Sequence, residues 1–302
     1  MAKPFKPMKG EPIEDPSILK YPGFISPKLD GIRAVVYGGI LCSASMKPIR
    51  NRYIQQRFRG LPEGTDGELI LGDPTSRGVF RRTTSAVMRT GGEPDVKFHV
   101  FDRYIPHMGY LDRLLELGDA LAHPHVVEVK QHLVMSAEIF DLYYQGFLRD
   151  GYEGIVYRSI KGLYKPGRST LREGYMLKLK PFKDSEAVVL SVYPLMRNDN
   201  TAFENETGHT SRSSAMDGLV ATDCVGGFDV RDIHTGVEFS VGSGLDRLPN
   251  AIHDSGPELW KIRDLLPGRI IKYRYFAIGD YDAPRHPTYE GFRDPIDITV
   301  GV

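Results

Sequence analysis

Short apolar runs bounded by glycine, proline and polar residues mark the first hundred positions, the texture of strands. Residues 24–28, 68–71 and 97–102 have this texture, and residues 33–37 and 40–44 flank Gly38-Gly39, a pair suited to a two-residue hairpin turn. The texture then changes. Leu114, Leu115, Leu117 and Leu121 fall on one helical face over residues 112–121, and Ile139, Leu142, Tyr143 and Phe147 repeat that spacing. Two more strands are expected at 154–157 and 175–180, separated by a Gly- and Arg-rich loop over 162–174. The first part of the chain reads as α+β.

Beyond residue 182 the texture becomes mainly β. Residues 187–192 open a series of short β-type segments that ends at 270–276, with one short helix expected around 258–265. About five strands and one helix in a segment of this length suit a small barrel such as an OB fold. The predicted division is 1–184 and 185–302. The polar run 198–216 is too long for a hairpin turn, so it reads either as disordered or as a binding loop ordered by a partner.

The 302 residues, 41% hydrophobic and 26% charged, belong to a globular chain and exclude whole-chain disorder. No apolar run approaches the ~20 residues of a membrane span, and the first residues lack a secretory apolar stretch, so a cytoplasmic, intracellular setting without membrane partners is expected. Cys42 and Cys224 are far apart and lack metal-ligand spacing. Lys and Arg total 39 against 39 Asp and Glu, yet the charge is unevenly spread. Residues 1–60 hold 11 bases against 4 acids, and residues 157–183 hold 8 against Glu173 alone. Two such bands on a neutral chain suit a local phosphate footprint.

The chemistry begins at Ser26-Pro-Lys-Leu-Asp-Gly-Ile-Arg33. A lysine ends one strand, an acid and a turn-forming glycine follow, and an arginine opens the next strand. Such a lysine attacks phosphorus once it loses its proton, and neighbouring cations make that loss easier. Thr65-Asp-Gly-Glu-Leu-Ile70, Phe98-His-Val-Phe-Asp102, Glu153-Gly-Ile-Val-Tyr157 and Lys178-Leu-Lys180 follow in order, all in predicted strands.

With these motifs the sequence resembles the ATP-dependent DNA ligases of the covalent nucleotidyltransferase superfamily, over nearly its whole length. It looks most like the minimal viral members, through Lys47-Pro-Ile-Arg-Asn51, Thr83-Thr-Ser-Ala-Val-Met88, Gly167-Arg-Ser-Thr-Leu171 and Phe239-Ser-Val-Gly-Ser-Gly244. The resemblance implies an N-terminal nucleotidyltransferase domain, ATP-grasp-like with antiparallel sheets plus helices, followed by a C-terminal OB-fold β-barrel. It also implies a monomer that seals nicked duplex DNA with ATP and Mg²⁺, or Mn²⁺ in its place.

In that reaction Lys28 would take AMP from ATP and pass it to the 5′-phosphate, and the 3′-hydroxyl would then displace AMP. Arg33, Glu68, Phe101, Lys178, Lys180, Arg285 and Arg293 would contact the nucleotide, with Phe101 stacking on adenine and the last two arginines, in Pro284-Arg-His-Pro-Thr-Tyr-Glu-Gly-Phe-Arg-Asp294, facing the pyrophosphate. Asp30, Arg33, Lys47, Arg50, Thr84, Ser85 and Arg168 would meet the nick, and Glu68, Glu153 and Asp30 would serve the metal. Residues 198–216 coincide with a DNA-clasping loop, here with Arg197 and Arg212 against Asp199, Glu204, Glu206 and Asp217.

One departure stands out. Many ligases have Ser-Arg where this chain has Ser43-Ala44, so a cation expected near the 5′-phosphate is missing, and Lys47 or Arg50 could replace its charge. The rival readings are an mRNA capping guanylyltransferase, an RNA ligase and a non-catalytic DNA-binding OB protein.

Overall fold

The computed structural model describes residues 5–204, 210–245, 256–276 and 283–294. The chain divides into two compact units, 1–181 and 182–302.

In the first unit, β1 (Glu11–Ile13), β2 (Gly23–Pro27), β3 (Ile32–Tyr37) and β4 (Ile40–Ser43) lead into helix α1 (Arg52–Arg57). Gly38 and Gly39 both take positive φ, 62° and 72°, and close the β3–β4 hairpin with Tyr37 opposite Ile40. The Asn51 side chain caps α1 by accepting from the Ile54 amide. Then come β5 (Thr65–Leu71), α2 (Val79–Met88), β6 (Val96–Arg103), α3 (Tyr110–Leu115), α4 (Gly118–Leu121), β7 (Val126–Glu128), β8 (His132–Val134), α5 (Ala137–Arg149), β9 (Ile155–Ser159) and β10 (Met176–Leu179).

Among the described residues these strands form two five-stranded sheets, in the orders β1-β10-β9-β2-β8 and β4-β3-β5-β6-β7. Neither sheet is purely antiparallel as expected: β1 runs parallel to β10 and β7 parallel to β6. One core lies under the second sheet, around Ile54, Leu69, Phe98 and Val100, and another under the first, around Ile25, Phe140, Ile155 and Leu177. Burial at this scale supplies most of the folding drive.

Two helical expectations need correction. The helix expected over 112–121 is two short ones, and Leu115 is 76% exposed while Leu114, Leu117 and Leu121 pack on the core. In α5 the buried face is Phe140, Tyr143, Tyr144 and Phe147, whereas Leu142 is 68% exposed. The aromatic rings carry the larger area, so they take the sheet side and set the helix rotation.

The second unit contains β11 (Phe182–Asn198), β12 (Ala202–Glu204), β13 (Thr210–Arg212), β14 (Leu219–Asp232), β15 (Glu238–Val241), α6 (Gly256–Lys261), β16 (Ile270–Phe276) and β17 (Arg285–Arg293). Five of them form an antiparallel sheet in the order β15-β14-β11-β16-β17, over a core that includes Val189, Phe228, Val230, Ile271 and Tyr273. Pairing of β15 with β17 into a closed barrel is not seen among the described residues. The polar run expected as a loop is partly strand: β11 and β14 stay paired out to Asn198 and Leu219, and β12 pairs with β13 beyond them. Residues 205–209, Glu206 among them, lie outside the described residues.

Candidate active site

Lys28 follows directly on β2, and its amide donates to the Gly154 carbonyl at 2.8 Å, which ties it to the start of β9. The chain then turns through Leu29-Asp30-Gly31 into β3. Gly31 is required here because a Cβ would collide with the Leu69 carbonyl oxygen and the Glu68 side chain. The turn thus lies hard against β5, and Lys28 comes into one cavity with Glu68.

That cavity is lined from both sheets. Lys28 and Lys178 come from the first, Arg33, Glu68 and Phe101 from the second, and Arg158 from β9. All are within the first unit.

Charge around Lys28 is organised on one carboxylate. Glu153, 4% exposed, accepts from the ammonium groups of both Lys28 and Lys180. Burial works to raise its pKa, but the two ammonium groups together outweigh burial and hold it below the usual carboxylate range. It is therefore ionised at neutral pH, poised between the nucleophile candidate and a second cation. Lys178 has its pKa lowered by burial and then by its neighbours Lys28 and Arg168, a sign of surplus positive charge along this wall.

The opposite wall is different. Arg33 lies opposite Glu68 in the β3–β5 register, and Glu68 opposite His99 in the β5–β6 register. Burial pushes the Glu68 carboxyl up to about 7 against the pull of Arg33 and Lys28, and pushes the His99 imidazole down to about 4. Arg33 is gripped by Asp66 through Nε and Nη2, both at 2.6 Å, and Tyr164 donates to the same carboxylate at 2.5 Å. Its guanidinium lies 4.6 Å from the centre of the Phe101 ring. Beneath Phe101, Asp102 accepts from Arg113 at 2.8 Å and from Arg158 at 2.6 Å, all three almost fully buried. Arg158 also lies 5.5 Å from Phe101 and 4.7 Å from Tyr110.

This arrangement offers a nucleophilic amine, a carboxylate against it, a ring face for a flat base and cations for phosphate. No family model matches the chain. The solved structure of Chlorella virus DNA ligase-adenylate is 30% identical to it, across 96% of this chain and 98% of that one, with a TM-score of 0.54. This chain belongs to the ATP-dependent DNA ligases.

The ligase also matches the DNA ligase of African swine fever virus, 36% identical over 44 residues, which is 15% of this chain and a span of only 10% of the viral protein. A solved structure of the Lig E DNA ligases is 22% identical, across 94% of this chain and 99% of that one at a TM-score of 0.66, a likeness of fold. No helix among the ligase's described residues is long and apolar enough to cross a membrane.

Other expected site residues are scattered. Asp30 is half-buried in the turn after Lys28. Arg168 lines the cavity, 54% exposed, with Glu11 at 3.5 Å. Lys47 is exposed and folds back beside Ala44, its carbonyl accepting from the Ser43 amide at 2.8 Å, while Arg50 lines a separate groove with Arg52 and Arg59. Neither lines the cavity that contains Lys28. Thr84 and Ser85 sit on α2; Ser85 is exposed, and the Thr84 hydroxyl is buried without a hydrogen-bond partner among the described residues. Arg285 and Arg293 open and close β17 in the second unit, opposite Phe276 and Ile270.

Arg158 and Lys9 line the cavity although sequence reasoning gave neither a role there. For Arg158 a signal existed: strand alternation puts it on the same face of β9 as Val156, another lining residue. Its counter-charge, Asp102, comes from a distant strand that no local pattern identifies.

Proposed function

We propose that this chain seals nicks in duplex DNA through a lysyl-AMP intermediate on Lys28. The observation that carries this reading is Lys28 in a cavity between Glu153 and Lys178, facing Arg33, Glu68 and Phe101. Lys28 Nζ forms a bond to the α-phosphorus of ATP, the α–β bridging bond breaks, and pyrophosphate leaves. The amine must first shed a proton, and the Glu153 carboxylate is the acceptor in contact with it. Lys178 and Arg168 supply cations where charge develops. A 5′-phosphate oxygen then displaces Lys28 from the adenylate, the amine recovers a proton, and the 3′-hydroxyl attacks that 5′-phosphorus with departure of AMP.

Phe101, with a guanidinium already against its ring, suits stacking of adenine, and Glu68, with its pKa near 7, can donate to or accept from a ribose hydroxyl. Among the described residues no three His, Cys, Asp or Glu side chains gather as a metal cage. Glu68, which lines the cavity, and the buried Glu153 beside Lys28 are separate hard oxygen donors, and Mg²⁺ is commonly held by one or two carboxylates with phosphate and water completing its shell. Glu68, Glu153 and Asp30 are the residues for that role, and the ion would neutralise charge on the phosphate being transferred.

The second unit is assigned an OB fold. Its five-stranded antiparallel sheet supports this, as does the bond from the Tyr289 amide to the Ser243 carbonyl at 2.8 Å, which draws the end of β15 towards β17. Arg285 and Arg293 are proposed to meet the pyrophosphate, and the arm around 198–216 to grip the duplex backbone. Arg197 pairs with Asp199, whereas Arg212 donates to the neutral Asn200 carbonyl and keeps its charge for the duplex. The chain is proposed to act as a monomer.

The test is incubation with α-labelled ATP or GTP and Mg²⁺, followed by a chase with nicked duplex. The expected result is label from ATP on the protein that passes to DNA as the nick closes. Label from GTP alone would replace this reading with a capping guanylyltransferase, closure of RNA nicks alone with an RNA ligase, and nick binding without label with a silent DNA-binding protein.

A further inference from the structure

The mouth of the cavity holds a cation outside every motif of the family pattern. The Lys9 amide donates to the Gly167 carbonyl at 2.7 Å, and the Lys9 carbonyl accepts from the Ser169 amide at 2.9 Å. These bonds make Lys9 and Arg168 partners in a parallel bridge. Bridge partners in neighbouring extended segments carry their side chains on the same face, about 5 Å apart. Both residues line the cavity that contains Lys28 and Lys178.

The backbone holds this pairing firmly. The Gly167 amide donates to the Lys6 carbonyl at 3.2 Å, so residues 6–9 strap the loop that carries Arg168. Glu11, two residues beyond Lys9 on the same face, is the acid at this mouth, 3.5 Å from Arg168. Six cations line the cavity, Lys9, Lys28, Arg33, Arg158, Arg168 and Lys178, against Glu68, with Glu11 beside Arg168, and an excess of positive charge is left. Two cations side by side at the rim of a half-open cavity match a doubly charged phosphate group better than either does alone.

We infer that Lys9 and Arg168 form a two-cation seat for a phosphate group. The inference rests on the nick-sealing reading. Lys47 and Arg50, the substitutes suggested by sequence, lie outside the cavity lining, whereas Lys9 is part of it. The phosphate has two sources, the 5′ end at a nick or the β and γ groups of ATP.

The experiment compares wild type, K9A, K9R and R168A in two assays. The first is the ratio of affinities of the adenylated enzyme for nicked duplex bearing a 5′-phosphate or a 5′-hydroxyl. The second is the rate of AMP attachment at limiting ATP. With the nick as source, K9A lowers the affinity ratio about tenfold, the worth of one charge-assisted contact, and K9R restores most of it. With ATP as source, K9A instead raises the ATP concentration needed for attachment by a similar factor, again with rescue by K9R. K9A equal to wild type in both assays overturns the seat, as does a loss that K9R fails to rescue. If wild type itself takes no AMP and ignores the 5′ group, it is the nick-sealing reading that fails.

Discussion

Two clusters of charge meet at β9, one through Arg158 within the strand and one through Glu153 just before it, and they differ in one respect. Around Asp102, two guanidiniums meet one carboxylate through near-ideal bonds, and Arg113 spends its remaining donors on the Met108 and Gly162 carbonyls at 2.7 and 2.9 Å. Both guanidiniums there are buried and hydrogen-bonded inside the protein. Around Glu153, by contrast, the carboxylate is buried while Lys28 and Lys180 keep 19% and 18% of their side chains exposed towards solvent. Residue type does not separate the clusters; saturation does. The saturated buried network sets Arg158 against Phe101, and the unsaturated one leaves an amine that can exchange its partner for a substrate.

The largest expected effect comes from breaking the open cluster at its nucleophile. Lys28→Ala should reduce AMP attachment by at least about 10³-fold, read as label on the protein, while the thermal melt stays close to wild type. Retained labelling would move the nucleophile elsewhere.

Breaking the saturated cluster should have the opposite signature. Asp102→Asn leaves two buried guanidiniums short of a counter-charge and should cost about 3–5 kcal/mol of stability, a fall in Tm on the order of 10 °C. A near-wild-type melt would refute the structural role assigned to that network.

A smaller effect sharpens the boundary between them. Glu68 has a folded pKa raised by burial to about 7, above its ordinary value, so the folded state holds a proton that the unfolded state gives up as pH rises. Its contribution is intact below the ordinary carboxylate range and is lost as pH climbs through 7. Water in the cavity screens the effect, so Glu68→Gln should gain about 1–2 kcal/mol relative to wild type between pH 4.5 and 7.5, measured by denaturant melts at the two pH values. A difference that does not change with pH would show that Glu68 titrates normally.

The smallest change is Thr84→Val. The buried hydroxyl has no partner among the described residues, so its removal should leave stability unchanged or raise it by about 0.5–1 kcal/mol. If nick affinity falls at the same time, the hydroxyl is kept for DNA.

Much of the site was legible along the chain because its parts are local. The Lys28 turn, the Gly38-Gly39 hairpin and the alternation of β6 follow from steric rules that act over a few residues; Glu68, Phe101 and Lys178 take strand positions, while Lys28, Glu153 and Lys180 fall just beyond strand ends. The family resemblance then supplied roles that periodicity cannot. The helical faces were harder to read, since Leu115 and Leu142 have the right spacing yet point outward, and only competition among neighbours for the sheet surface decides which stripe is buried.

The folded chain alone decided which charges are answered. Asp102 with Arg113 and Arg158, Glu153 with Lys28 and Lys180, and Lys9 beside Arg168 join segments 11 to 159 positions apart. Electrostatic partnership depends on distance and burial in space, and neither has a period in sequence. That is why Lys28 could be read as the reactive lysine from its motif, while the strap that sets Lys9 at the cavity mouth became visible only once β1 had paired with β10.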